Sequence, residues 1–118
     1  MNDVSVLSDV VATLPVAEVD QRLNQPVSRV QQLVRDGQLL SFRREGEVVV
    51  PADFLDADDA VVKGLSGTIT VMRDGGYSDA DILRWLFAED DSLPGTPVAS
   101  LRAGRHREVK RRAQAMAF

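Results

Sequence analysis

The chain has 118 residues, 44% of them hydrophobic and 27% charged, which fits one globular domain or a small module with an extension packed on it. It holds no cysteine, so disulfides and thiolate metal sites are excluded. The formal net charge of −4 argues against a uniformly basic nucleic-acid binder, so the distribution of charge decides more than the sum.

That distribution is uneven. Residues 1–52 hold five arginines and seven acids, residues 53–91 three basic and ten acidic residues, and residues 92–118 six basic residues and one acid. The N-terminus MNDVSVLSDVV has neither the basic start nor the apolar run of a signal peptide. No apolar run approaches the length needed to span a bilayer, so a cytoplasmic protein without a membrane partner is expected.

Residues 1–13 mix polar and apolar side chains and lack turn signals, so they read as a frayed arm or a first helix. Pro15 suits the first position of a helix, and Val16, Val19 and Leu23 fall on one helical face. Asn24-Gln25-Pro26 ends that helix, because proline cannot continue the hydrogen-bond ladder and disfavours helix in the residue before it. Val27, Val30 and Leu33-Val34 then set a second apolar stripe over Val27–Asp36. Gly37 follows as a left-handed cap. Two short helices joined by so few residues make a helix-turn-helix. The run Leu39-Leu40-Ser41-Phe42-Arg43-Arg44, the pair Glu45-Gly46 and the run Glu47–Pro51 predict a β-hairpin with a two-residue turn. Arg43 and Arg44 would lie at its tip on opposite faces.

Ala52–Leu55 reads as the start of a further helix, and Asp56, Asp58 and Asp59 as an acidic connection. Leu65, Ile69 and Met72 recur at helical spacing up to Asp74-Gly75-Gly76, against a competing strand suggested by the β-branched Thr68–Val71. Ser78 with Asp81 resembles a capping box for a short apolar helix through Ile82, Trp85 and Leu86. Leu93-Pro94-Gly95 is a turn. Thr96 with Pro97 is a start signal for a last helix to about Ala115, which Gly104 weakens by about 1 kcal/mol.

Little here supports an enzyme. His106 is a lone histidine on a basic segment, and no nucleophile elbow, phosphate-binding loop or dinucleotide-binding glycine pattern occurs. The aspartates at 56, 58 and 59 lack the glycine and closing glutamate of a calcium loop. Asp79 and Asp81 suit the positive end of a helix without further role, and Trp85 among aliphatics suits a core. No cofactor is implied.

The helix-turn-helix segment reads differently. The polar face of Val27–Asp36 carries Ser28, Arg29, Gln31, Gln32 and Arg35. Glutamine pairs with adenine and arginine with guanine in the major groove, and the start of the second helix is the part that reads bases. Arg43 and Arg44 suit a wing over phosphates or a minor groove. The basic segment 102–112, with Arg105, Lys110 and Arg111, is either a source of phosphate contacts or a neutraliser of the chain's own acidic middle.

Two resemblances attach to these residues. Val16-Ala17, Pro26, Val30, Leu33, Gly37, Leu39 and Pro51–Phe54 resemble the winged helix-turn-helix of excisionase and MerR-type regulators. Asp74-Gly75-Gly76-Tyr77, Arg84-Trp85-Leu86-Phe87, Asp90–Gly95, Pro97 and Glu108–Ala115 resemble a family of small actinobacterial DNA-binding proteins whose mycobacterial member is a Ser/Thr protein kinase substrate. That resemblance implies DNA binding and control by phosphorylation near the N-terminus, where Ser5, Ser8 and Thr13 are the hydroxyls.

The expected protein is mainly α. It has an N-terminal arm over 1–13, a winged helix-turn-helix over 14–55 with a small β-hairpin wing, and a helical C-terminal extension over 56–118. It binds double-stranded DNA as a transcriptional regulator or nucleoid-related protein, as a monomer or weak homodimer without coiled-coil heptads. The alternative is a protein-interaction module, a degenerate winged helix whose acidic middle docks a basic partner.

Overall fold

A computed structural model describes residues 6–8, 10–26, 28–93 and 95–117. Ser5, Val27 and Pro94 of the expectations above lie outside the described residues. The chain order is β1 (Thr13–Pro15), α1 (Val16–Arg22), α2 (Arg29–Arg35), β2 (Phe42–Arg44), β3 (Glu47–Pro51), a single 3-10 turn (Ala52–Phe54), α3 (Leu65–Asp74), α4 (Asp79–Leu86), α5 (Pro97–Arg102) and α6 (His106–Ala117). The fold is the expected one, mainly helical with a small antiparallel hairpin. Its apolar side chains form one continuous core, in which Val19, Val30, Leu39, Leu40 and Phe54 meet Leu65, Ile69, Met72, Leu86 and Val109.

The helix-turn-helix is held by a contact between its two helices. Asp20 on α1 is only 6% exposed, and its Oδ1 accepts the Val30 N–H of α2 at 3.0 Å. Ser28 precedes α2 in the left-handed region at φ 79° and makes no side-chain cap. The carboxylate of α1 therefore supplies the acceptor that the start of α2 lacks locally. The connection is tightened further by Gln25 N–H donating to the Asp20 carbonyl.

The wing is a three-stranded sheet of order β1-β3-β2. Thr13 pairs with Pro51 and Pro15 with Val49, while Phe42 pairs with Val49 and Arg44 with Glu47. Glu45 and Gly46 both have positive φ, 52° and 80°, the geometry of the hairpin turn whose twist matches the strands. Thr13, expected in the arm, and Pro15, expected at the first helical position, lie in a strand instead. Pro15 is the N-cap at ψ 149°, one residue before the helix.

Two other expectations change. Ala52–Leu55 does not open a helix: after the 3-10 turn Leu55 is extended and bridges to Val61. The connection beyond it is ordered by Asp56, whose Oδ1 accepts the N–H groups of Asp58 and Ala60. The last helix is two helices. Gly104 stands at φ 87°, left-handed backbone that no α-helix accommodates, and α6 restarts at His106.

The β-branched stretch of α3 is helical, with Thr68 Oγ1 donating to the Gly64 carbonyl at 2.9 Å. α3 and α6 run parallel and close. A Cβ on Gly64 would stand 2.3 Å from that of His106, and one on Gly75 2.5 Å from that of Ala117. The expected caps are present: Ser78 accepts the Asp81 N–H and Thr96 the Ala99 N–H. In the loop before α5, Asp90 accepts from the Ser92 hydroxyl and N–H and from Arg112 Nε. The Ser92 hydrogen bonds, with the Arg112 guanidinium helping, lower its pKa from 3.8 to about 2.

Asp20→Ala leaves the Val30 N–H without its acceptor and should cost about 1–3 kcal/mol of unfolding free energy, with a smaller loss for Asp20→Asn, which keeps an oxygen. Urea unfolding checks the order, and equal losses in both variants contradict the role given to the acceptor. The Asp90 carboxylate has a depressed pKa, so its stabilisation is present above about pH 4 and is lost as the pH falls toward 2. Asp90→Asn should lower stability at pH 7 and remove that share of the acid loss, read as a flatter stability–pH curve between about pH 4 and 2.

Candidate nucleic-acid interface

The exposed side of α2 is set by its buried side. Val30 and Leu33 face the core, which turns Gln31, Gln32 and Arg35 to solvent. Arg29 is half-buried, and its guanidinium donates to Gln32 Oε1 at 3.0 Å. A shallow concavity of about 430 Å³ is lined by Gln25, Pro26, Ser28, Arg29, Gln31, Gln32 and Arg35. Ser28 and the four α2 residues singled out from the sequence thus share one surface, Gln25 and Pro26 of the turn being the additions. Gln25 was legible only as part of a helix break. Its place at the rim follows from the turn geometry, in which Asn24 takes φ 55°.

The chemistry of this surface is a donor-rich polar face with two cations and no carboxylate among its lining residues. Side chains of this kind make bidentate contacts to base edges and single contacts to phosphate. The fixed Arg29–Gln32 contact pre-orients both groups.

The two wing arginines diverge. Arg43 is exposed and curls over the turn, donating to the Gly46 carbonyl at 3.1 Å. Arg44 is half-buried and faces the other way. Its guanidinium lies 5.2 Å from the Phe42 ring centroid and donates to the carbonyls of Val11 at 2.8 Å and Ser8 at 2.9 Å. It fastens the segment before β1 to the sheet and is not presented beside Arg43. Glu45 and Glu47 are exposed on the wing as well, so its tip is not a cationic surface.

Arg105, Lys110 and Arg111 are exposed but do not join the α2 concavity. Lys110 lies over Gly67 of α3, and Arg111 borders a separate hollow of about 440 Å³ with Ser92, Leu93, Glu108, Arg112 and Ala115. Ser8 is exposed and Thr13 half-buried in β1. Among the described residues no group of three or more His, Asp or Glu side chains is placed to hold a metal ion, and no helix is long and apolar enough to cross a membrane.

The recognition helix is held at its far end too. Arg73 of α3 donates to the Val34 carbonyl at 3.1 Å and makes a two-point contact to Asp79 at 2.9 and 2.8 Å. Sequence reading passed over Arg73 and Asp20 alike. A buried acid within a helix, and a basic residue at the last turn of another, carried the only signal.

Comparison with known proteins agrees with this architecture along the whole chain. Residues 2–55 match the family described as DNA-binding protein Rv2175c, wHTH domain, and residues 62–117 match the Rv2175c C-terminal domain of unknown function. The DNA-binding protein Rv2175c of Mycobacterium tuberculosis is 44% identical over 118 aligned positions, covering 90% of this chain and 81% of that protein. The NMR structure of Rv2175c superposes with a TM-score of 0.87 at 42% identity, covering 99% of this chain and 87% of that one. With both halves matched and the fold shared, the chain belongs to the Rv2175c family, with a winged helix-turn-helix followed by that family's C-terminal domain.

Proposed function

We propose that this protein binds double-stranded DNA by placing α2 in the major groove, and that it acts as a transcriptional regulator or nucleoid-related protein in the cytoplasm. The observation that carries the reading is the convergence of Ser28, Arg29, Gln31, Gln32 and Arg35 on one acid-free concavity, on a helix anchored from both ends. The name of the M. tuberculosis relative, a DNA-binding protein, supports it. Ser28, Arg29 and Gln32 are the base-reading candidates, since the start of the recognition helix meets the base edges. Arg35 and Arg43 serve as phosphate contacts. Control by a Ser/Thr kinase is supported by the exposure of Ser8. A phosphate there would add up to about two negative charges beside the Arg44 guanidinium and compete for the contact that fastens this segment to the wing.

Arg29→Ala should weaken binding to a preferred duplex by about 1–3 kcal/mol and relax preference at one base position. Arg43→Ala should weaken binding evenly across sequences and lower the slope of log K against log salt by about one. Fluorescence anisotropy across a salt series, with circular dichroism showing intact helices, separates the two. Unchanged affinity in both variants at low and moderate salt rules out the assigned surface.

A further inference from the structure

Six basic residues lie in residues 92–118, and the fold uses two of them. Arg102 donates to the carbonyls of Asp53 and Leu55, and Arg112 pairs with Asp90 at 3.3 Å. Arg105, Arg107, Lys110 and Arg111 are exposed. Among the described residues none of these four has an ion-pair or hydrogen-bonding partner for its side chain. They do not neutralise the acidic middle of the chain. On α6, Arg107, Lys110, Arg111 and Gln114 follow the spacing of one helical face, spanning roughly 100° of arc, away from buried Val109 and Ala113. Like charges at this spacing disfavour an isolated helix by a few tenths of a kcal/mol per pair, and Glu108, which borders the same hollow as Arg111, is the one acid of α6 set against them.

This row is not a continuation of the α2 surface. Gly64, Gly67 and Gly75 face α6, whereas Thr70 and Arg73 stand beside Gly37 at the end of α2. At the turn angle of a helix these two sets lie about 140° apart around α3. Asp74, exposed, falls between them on the outer arc of α3, and Asp36 is exposed at the end of α2. A single duplex laid across both basic surfaces would meet these carboxylates. The four cations are also unlike the α2 surface in kind. Long, unpaired charges, three on one face of α6 and Arg105 just ahead of it, suit backbone phosphates rather than base edges.

We propose that the basic face of α6 is a second, sequence-independent binding surface for duplex DNA, so that one molecule bridges two DNA segments, one on α2 and one on α6. The proposal rests on the reading that α2 binds DNA.

A bridging assay tests it. The purified full chain is mixed at low salt with a bead-bound duplex and a fluorescent second duplex, and the retained fluorescence is measured beside a gel shift on one duplex. The wild type should retain the second duplex. The triple variant Arg107→Gln, Lys110→Gln, Arg111→Gln should lose about tenfold in retention, in keeping with three phosphate contacts removed. Its gel shift should stay within about threefold, because α2 is untouched. Arg111→Gln alone should fall between the two, which guards against misfolding of the triple variant. Retention by the triple variant at the wild-type level, as self-association of the protein through another face would give, overturns the proposal. So does a wild type that shifts one duplex but never retains a second. A wild type that shifts no duplex overturns the assignment of α2 as well, so the two failures are distinguishable.

Discussion

The hydrogen bond from Val30 N–H to Asp20 is the contact on which the rest of the molecule's arrangement turns. A seven-residue helix is marginal by itself, and α2 begins without a side-chain cap. The acid of α1 fills that place from across the turn, in a site 6% exposed, where losing an acceptor costs most. Once it is made, the angle between α1 and α2 is set, Val30 and Leu33 enter the core, and the polar residues of α2 have one direction left to point. At the opposite end Arg73 meets the Val34 carbonyl. An acid therefore sits at the positive end of α2 and a base at its negative end, both favourable for the helix dipole. Because Arg73 comes from α3 and is clamped by Asp79, the C-terminal domain helps to orient the helix of the N-terminal one.

The basic residues divide by what they touch. Arg44, Arg73 and Arg102 donate to backbone carbonyls of segments distant in sequence and act as fasteners of the fold. Arg22 and Arg84 pair with Glu18 and Asp81 on their own helices with side chains about half exposed, pairs of little energetic weight. The other basic residues, without an ion pair among the described residues, are Arg29 and Arg35 of α2, Arg43 of the wing, Lys63 ahead of α3, Arg105, and Arg107, Lys110 and Arg111 of α6. Net charge therefore says little about the surfaces of this protein: an acidic chain can still present a face lined by arginine and no acid, as the α2 concavity is.

Local chemistry was legible from the sequence where it acts within a few residues. The caps at Ser78 and Thr96, the Glu45-Gly46 turn and the polar face of α2 follow from neighbouring residues alone. The misses share a cause, which is pairing over a long sequence distance. Strand β1 exists because Thr13–Pro15 lie against β3, and nothing in three residues before a helix announces that. Arg44 looked like a tip residue by strand alternation. Its role depends on carbonyls more than thirty positions earlier. Gly104 was visible as a weak point. Whether a glycine weakens a helix or ends it is settled by its φ, and the left-handed value here lets the N–H groups of Gly104 and Arg105 close α5 on the carbonyls of Leu101 and Ser100.

Charge at the wing bears on how the protein would meet DNA. Arg43 stands in the same hairpin as Glu45 and Glu47, both exposed, so the wing contributes orientation rather than attraction. The α2 surface has Arg29 and Arg35 as its cations, and Arg29 is partly occupied by Gln32. With Arg35 and Arg43 as its phosphate contacts, this surface would give a salt slope of about 2 at roughly 0.9 per phosphate, shallow for a DNA-binding protein and consistent with contacts that discriminate more than they attract. The only row of unpaired cations among the described residues is the exposed face of α6. Its separation from α2 by α3, with Asp36 and Asp74 exposed between them, keeps that row off a duplex lying on α2, so it adds nothing to the slope of that contact.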